Sequence, residues 1–146
     1  MRLISTIIIL LCSLVAVKAQ QCEKNKTNDG KGTASYYHSK FNGRKTATGE
    51  EFQSANYTAA SNKLKLGTYI KVTNLRNGKV VYVKVNDRMA AGNKRVVDLT
   101  STAAEYLHFK EQGTTQVILE VVSDTEGRNG ILAQREVATA GAKNTL

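Results

Sequence analysis

Between Lys79 and Leu99 two short runs rich in β-branched residues, Val80-Val81-Tyr82-Val83-Lys84-Val85 and Arg95-Val96-Val97-Asp98-Leu99, flank a polar insert that opens with Asn86-Asp87-Arg88. Runs this short do not make core-covering helices, and their residue types suit the pleated, buried surface of a sheet. Asp87 therefore falls at a strand end. A rigid scaffold there presents a carboxylate to whatever the loops bring alongside.

The rest of the chain repeats this short-strand pattern. Gly32-Thr33-Ala34-Ser35-Tyr36-Tyr37 and Asn56 to Ala60 read as strands, Tyr69-Ile70-Lys71-Val72-Thr73 alternates as a half-buried strand does, and Thr115 to Val122 alternates through Val117, Leu119 and Val121. Asn77-Gly78 permits the positive dihedrals of a hairpin turn between Tyr69–Thr73 and Lys79–Val85. After Leu99 the period changes, and Thr100 or Thr102 caps a short helix through Leu107, with Thr102 and Glu105 at capping-box spacing. Residues 38–53 form a long ordered loop carrying Glu50. No proline occurs, so loops take their shape from Gly, Asn, Asp and packing. Gly67-Thr68 and Gly113-Thr114 precede two strands as a faint internal echo, the trace of a barrel built from two related halves. Many short strands, turns and one small helix predict a mainly β barrel.

The ends read differently. Met1 to Ala19 has the charged start, apolar middle and Val17-Lys18-Ala19 cleavage site of an export signal. Its apolar run, Leu3 to Val17, is shorter than the roughly 20 residues that span a bilayer, so stable membrane insertion is not expected. Residues 20–31 are polar and read as a disordered lead-in, 32–123 as the barrel, and 124–146 as a flexible tail, within which Ile131-Leu132 docks weakly at most. Losing Arg2 and Lys18 with the leader lowers the net charge of +9 by two. The remaining excess fits either a solvated basic surface or an anionic partner, and no nucleic-acid module is visible. Cys12 leaves with the leader, so Cys22 stands alone, a free thiol or a lipid attachment site. No His, Cys and carboxylate cluster has metal-ligand spacing and no Gly-rich phosphate loop appears, so no metal or cofactor is expected.

Gly32–Tyr37, Phe41-Asn42-Gly43-Arg44-Lys45-Thr46-Ala47-Thr48-Gly49-Glu50, Thr58-Ala59-Ala60, Leu66-Gly67-Thr68, Val72-Thr73-Asn74, Asn86-Asp87-Arg88 and Val97-Asp98-Leu99 follow the order seen in the rare lipoprotein A family, which the chain resembles from about residue 30 to 122. The resemblance implies a six-stranded double-psi β-barrel with one short helix, the fold shared with expansins and barwin-like proteins. It also implies a lytic transglycosylase acting on peptidoglycan glycan strands, with preference for strands stripped of stem peptides; a monomer is expected. Nothing here matches the family's C-terminal wall-binding repeat, so a stand-alone barrel is implied.

Such an enzyme needs no attacking water, because the sugar's own C6 hydroxyl closes on the anomeric carbon. One carboxyl group then serves as acid and afterwards as base. Asp87 matches the family's catalytic acid and Glu50 a carboxylate of the same cleft; the alternative for Asp87 is a turn residue bonding its own backbone. Asp98 reads as structural, bonding backbone near the helix start. Ser61 stands where the family pattern has histidine, and is expected to fill a hydrogen-bonding role in the cleft without imidazole's titration. Met89-Ala90 likewise replaces Gly-Pro. His38 lies beside Tyr37 and reads as a surface residue, and His108 packs after the helix. Tyr36, Tyr37 and Tyr57 suit either a sugar-binding groove or the core, and Arg88 is a candidate substrate contact. The lost histidine motivates a second reading, an expansin-like module that binds wall polysaccharide without cutting it. A two-carboxylate hydrolase releasing reducing ends is the third.

Overall fold

The computed structural model describes residues 30–143. The expected leader over 1–19, most of the 20–31 lead-in and Cys22 lie outside the described residues.

Six strands form in the order β1 (Gly32–Tyr36), β2 (Thr58–Ala60), β3 (Tyr69–Asn74), β4 (Val80–Asp87), β5 (Val97–Leu99) and β6 (Thr115–Val121). They close on themselves as β1-β5-β2-β4-β3-β6. The pairs β1/β5 and β2/β4 run parallel and the other four antiparallel, so two parallel crossovers are tied by antiparallel seams. This is the mainly β, six-stranded double-psi barrel expected. Closure leaves no free edge along the ring.

Alternation along the strands decides what fills the barrel. Val81, Val83 and Val85 of β4 point inward with Ile70 and Val72 of β3 and Val117 of β6, all fully buried. The hairpin turn forms where expected, with Gly78 at φ 73°. Gly67 and Gly113, the two echoed glycines, adopt φ 88° and 77° and lead into β3 and β6, which pair with each other. The short helix α1 spans Ser101–Tyr106. Of the two candidate caps it uses Thr100, whose side chain accepts from Ala103 N and donates to Asn56 O at 2.6 Å.

The flexible tail expected over 124–146 is overturned across residues 124–143, and 144–146 lie outside the described residues. Asp124–Lys143 is a 20-residue helix, α2, packed across β3 and β4. Its docking face is Gly127, Gly130, Ile131 and Gln134, spaced i, i+3, i+4, i+7, so a helical stripe exists, but Ile131 is its one large apolar member and the rest are small or polar. A Cβ on Gly127 would lie 2.3 Å from Tyr69 Cβ, and one on Gly130 2.4 Å from Tyr82 Cγ. The glycines are what let the helix backbone reach the tyrosine rings. Gln134, 4% exposed, accepts from the Tyr82 amide and donates to its carbonyl at 3.0 Å. That side chain satisfies the backbone of Tyr82, which faces Lys71 of β3 on one side but on the other lies before the β2 pairing begins at Lys84. Among the described residues no helix is long and apolar enough to cross a membrane.

Candidate functional site

The decisive local feature is an irregularity in the parallel β2/β4 pair. Thr58 faces Lys84 and Ala59 faces Val85, but Ala60 faces Asp87, so Asn86 is an extra residue on β4. Strict alternation after Val81, Val83 and Val85 would send Asp87 into the core. The bulge breaks the alternation: Asn86, 4% exposed, keeps to the Lys84 side and bonds Glu50 as Lys84 does, and Asp87 turns outward as well, partly exposed.

There Asp87 lines a cavity of about 210 Å³ with Tyr37, Phe41, Arg44, Lys45 and Phe52. Its Oδ1 accepts from Ala47 N at 3.0 Å and from Arg88 N at 2.8 Å. No described residue donates to Oδ2. The bond to the Arg88 amide is the local turn contact weighed for this residue, but the bond from Ala47 ties the carboxylate to a distant loop and leaves one oxygen free beside the cavity.

Aromatic rings form the floor. Tyr37 packs edge-on against Phe41 and Phe52, with centroids 5.8 and 5.6 Å apart, and the Arg44 guanidinium lies 5.4 Å from the Phe41 ring. Burial, with the negative charges of Asp87 and Asp98 adding, pushes the Tyr37 hydroxyl up to about 12. It remains a protonated donor at any physiological pH. Of the sequence candidates, Tyr37 and Asp87 are the two brought together in this cavity.

Glu50 opens on a different groove. It shares a cavity of about 520 Å³ with Lys84 and Asn86 of β4 and with Arg128, Leu132 and Arg135 of α2. Its Oε2 accepts from Asn86 Nδ2 at 2.8 Å and its Oε1 from Lys84 Nζ at 3.3 Å, and the Asn86 bond, then Lys84, hold its carboxyl below the ordinary value of 4.5. The turn over residues 46–50 lies between the two cavities. Ala47 N reaches Asp87, Thr48 N donates to Asn86 O at 3.2 Å, and Thr46 N to Glu50 O at 2.8 Å.

The remaining candidates sit elsewhere. Ser61, expected to open on the cleft, is fully buried and its hydroxyl donates to Val96 O at 2.9 Å. It faces inward because Ser61 N pairs with Asp87 O and continues the β2 edge into the barrel wall. Arg88, proposed as a substrate contact, spends its guanidinium on the carbonyls of Ser61 and Leu64, the latter at 2.6 Å, clamping that turn. Tyr36 points to the opposite side from Tyr37, as strand neighbours do; its hydroxyl donates to Lys110 O at 3.1 Å and its ring meets Phe109. Tyr57 is core, 3% exposed. Asp98 is structural, but its partner is Arg95 in a two-bond fork at 2.7 and 3.0 Å rather than backbone at the helix start. His38 is exposed and its Nδ1 accepts from Lys40 N.

Phe41, Arg44, Lys45 and Phe52 went unassigned in the sequence, although two phenylalanines in an otherwise polar loop were a usable signal for an ordered aromatic floor. Arg128 and Arg135 were hidden because their segment read as tail. Among the described residues no group of three or more His, Cys, Asp and Glu is placed to hold a metal ion. The Asp87 cavity therefore offers a carboxyl with one fixed and one free oxygen, a phenol donor, an aromatic floor and two cations at the rim.

Comparison with known proteins agrees with this geometry. A family model described as lytic transglycolase matches residues 29–119. The chain is 39% identical over 119 residues to a Haemophilus influenzae protein named endolytic peptidoglycan transglycosylase RlpA, an alignment covering 78% of this chain and 42% of that relative. A Pseudomonas aeruginosa protein of the same name is 43% identical over 118 residues, with 76% and 35% covered. The chain thus spans less than half the length of these curated relatives. Among solved structures, a mutant Clavibacter michiganensis expansin in complex with cellohexaose matches at TM-score 0.52 and 19% identity, over 64% of this chain and 50% of that one. The Streptomyces papain inhibitor matches at TM-score 0.54 and 18% identity, over 66% and 96%. At these identities the two structures share the fold.

Proposed function

This chain belongs to the lytic transglycolase family, and from that premise we propose that it cleaves peptidoglycan glycan strands by intramolecular transglycosylation, with Asp87 as the single acid and base. The observation that carries this is the divided carboxylate: Oδ1 is fixed by Ala47 N while Oδ2 is unclaimed at a cavity with an aromatic floor. Protonated Asp87 gives its proton to the glycosidic oxygen as the bond to the anomeric carbon breaks. The C6 hydroxyl of the same sugar then bonds to that carbon and returns its proton to Asp87, leaving a 1,6-anhydro end and an unchanged enzyme. No water is consumed, which separates this route from two-carboxylate hydrolysis.

Tyr37, kept protonated, donates to substrate oxygen beside the acid. Glu50 acts as a positioning residue: it holds Asn86, whose carbonyl and neighbour Asp87 hold the 46–50 turn. Ser61 and Arg88 shape the wall behind the acid. We extend the reading to an exported, monomeric protein that prefers strands without stem peptides.

Mass spectrometry of peptidoglycan after incubation with the chain and with Asp87→Asn tests this. Anhydro-muramic ends made only by the unmutated chain are expected; reducing ends would replace the mechanism with hydrolysis. A second reading, wall binding without cleavage, is favoured by one observation: with Ser61 sealed against Val96 O, the site lacks both the family histidine and any exposed substitute at that position. No new ends from either chain, with binding retained, would establish it.

A further inference from the structure

The groove between α2 and the barrel has no role in the proton transfers above, yet it is the larger of the two cavities that flank the 46–50 turn. Its helix wall carries Arg128 and Arg135, seven residues apart and therefore two turns along one face, about 10 Å by helix rise. Both are exposed, and neither is in an ion pair among the described residues. The Arg128 guanidinium lies 5.8 Å from the Tyr69 ring centroid, which holds it over the groove. On the facing wall Glu50 is already engaged by Lys84 and Asn86. Between the arginines Leu132 is 55% exposed and lines the groove.

The helix is anchored well enough to make this wall a fixed one. Gly127 and Gly130 seat it on Tyr69 and Tyr82, and Gln134 bonds the Tyr82 backbone. Two guanidinium forks with no acceptor among the described residues, held on a rigid element, are preorganised for carboxylates.

We propose that this groove is a second glycan subsite in which Arg128 and Arg135 recognise carboxylates borne on the sugars, the lactyl carboxylates of muramic acid. The inference rests on the glycan-strand reading of the Asp87 cavity. Every second sugar of such a strand carries a lactyl group, ionised when no stem peptide is attached and an uncharged amide when one is. A strand lying across the 46–50 turn occupies both cavities, with its carboxylates on the helix wall and its scissile bond at Asp87.

The test is binding rather than turnover, measured by calorimetry on the Asp87→Asn chain with and without Arg128→Gln plus Arg135→Gln. The ligands are peptide-free muramyl oligosaccharides, the same oligosaccharides with lactyl carboxylates converted to methyl amides, and chito-oligosaccharides of equal length. The double substitution is expected to weaken the carboxylate ligand about tenfold and to leave the amide and chito ligands unchanged, with the melting temperature constant. Equal weakening of all three ligands, or of none, overturns the proposal. So does a parallel loss of polyglutamate binding, which would make the arginines a general basic surface. Because no cleavage is needed, absence of anhydro ends would defeat the catalytic reading while leaving this result standing.

Discussion

Asp87 Oδ1 accepts the backbone amide of Ala47 at 3.0 Å across 40 positions of sequence, so the candidate acid and the turn that covers it are one hydrogen-bonded unit. The unit exists because the Asn86 bulge turns Asp87 out of the barrel.

Replacing Asp87 in two ways separates its chemical and structural parts. Asp87→Asn keeps an acceptor for Ala47 N, whereas Asp87→Ala removes it. Both are expected to lose cleavage by 10³-fold or about that, the loss of the acid and base in a single group. Only Asp87→Ala is expected to speed hydrogen exchange at the Ala47 amide and across residues 44–52. Full activity in Asp87→Asn would remove Asp87 from the chemistry.

Ser61 is expected to behave as a structural residue. Ser61→Ala should cost about 1 kcal/mol of stability for the lost bond to Val96 O, read by urea unfolding, with product yield kept within about twofold. Ser61→His should cost about 1–3 kcal/mol, because an imidazole must enter a site with no exposed surface, and should not raise activity. A hundredfold fall in Ser61→Ala with unchanged stability would place its hydroxyl among the reacting groups.

Glu50 gives a pH dependence whose sign is fixed. Its carboxyl is held below 4.5 in the folded chain, first by Asn86 and then by Lys84, so its contribution to stability is present above the ordinary carboxylate value and disappears as pH falls through the lowered one. Asn86→Ala removes the largest lowering cause. NMR titration should then show the Glu50 carboxyl moving up toward 4.5, with the 46–50 turn loosening. An unmoved titration would assign the lowering to Lys84 and Thr48.

The helix glycines reverse the usual propensity argument. Alanine is worth about 1 kcal/mol over glycine in a helix interior, and at Gly141, where an added Cβ meets nothing within 4 Å, Gly141→Ala is expected to be neutral or stabilising by up to that amount. Gly130→Ala puts the same methyl 2.4 Å from Tyr82 Cγ and should destabilise by about 1–3 kcal/mol. Thermal melts and tryptic cleavage at Arg128 and Arg135 report both. A stabilised Gly130→Ala would mean that α2 does not dock on Tyr82.

Local patterns carried a large share of the architecture. The β-branched runs around Val81–Val85 and Val97–Leu99, the Asn77-Gly78 turn and the Thr100 cap are short-range signals, and each forms where its residues place it. A signal for the α2 start went unused: Ser123 and Glu126 stand at capping-box spacing, and Glu126 N donates to Ser123 Oγ at 3.2 Å while the Glu126 carboxylate accepts from the Tyr82 hydroxyl. The segment reads as a tail because it is polar, glycine-bearing and short of large apolar residues, and glycines count against a helix until the surface they dock on is known.

By itself, then, the sequence determined the strand set, the family blocks and the presence of a carboxylate at the end of β4, because propensity, turn chemistry and period are properties of neighbours in the chain. Tertiary structure decided the rest. Pairing with β2 inserts Asn86 as a bulge and so chooses the face of Asp87, and the β2 edge seals Ser61 against Val96. The flat tyrosine surface of β3 and β4 makes a helix out of a glycine-bearing segment. Each outcome depends on which distant backbone supplies the hydrogen bond or the packing surface, and that partner is chosen only when the barrel closes.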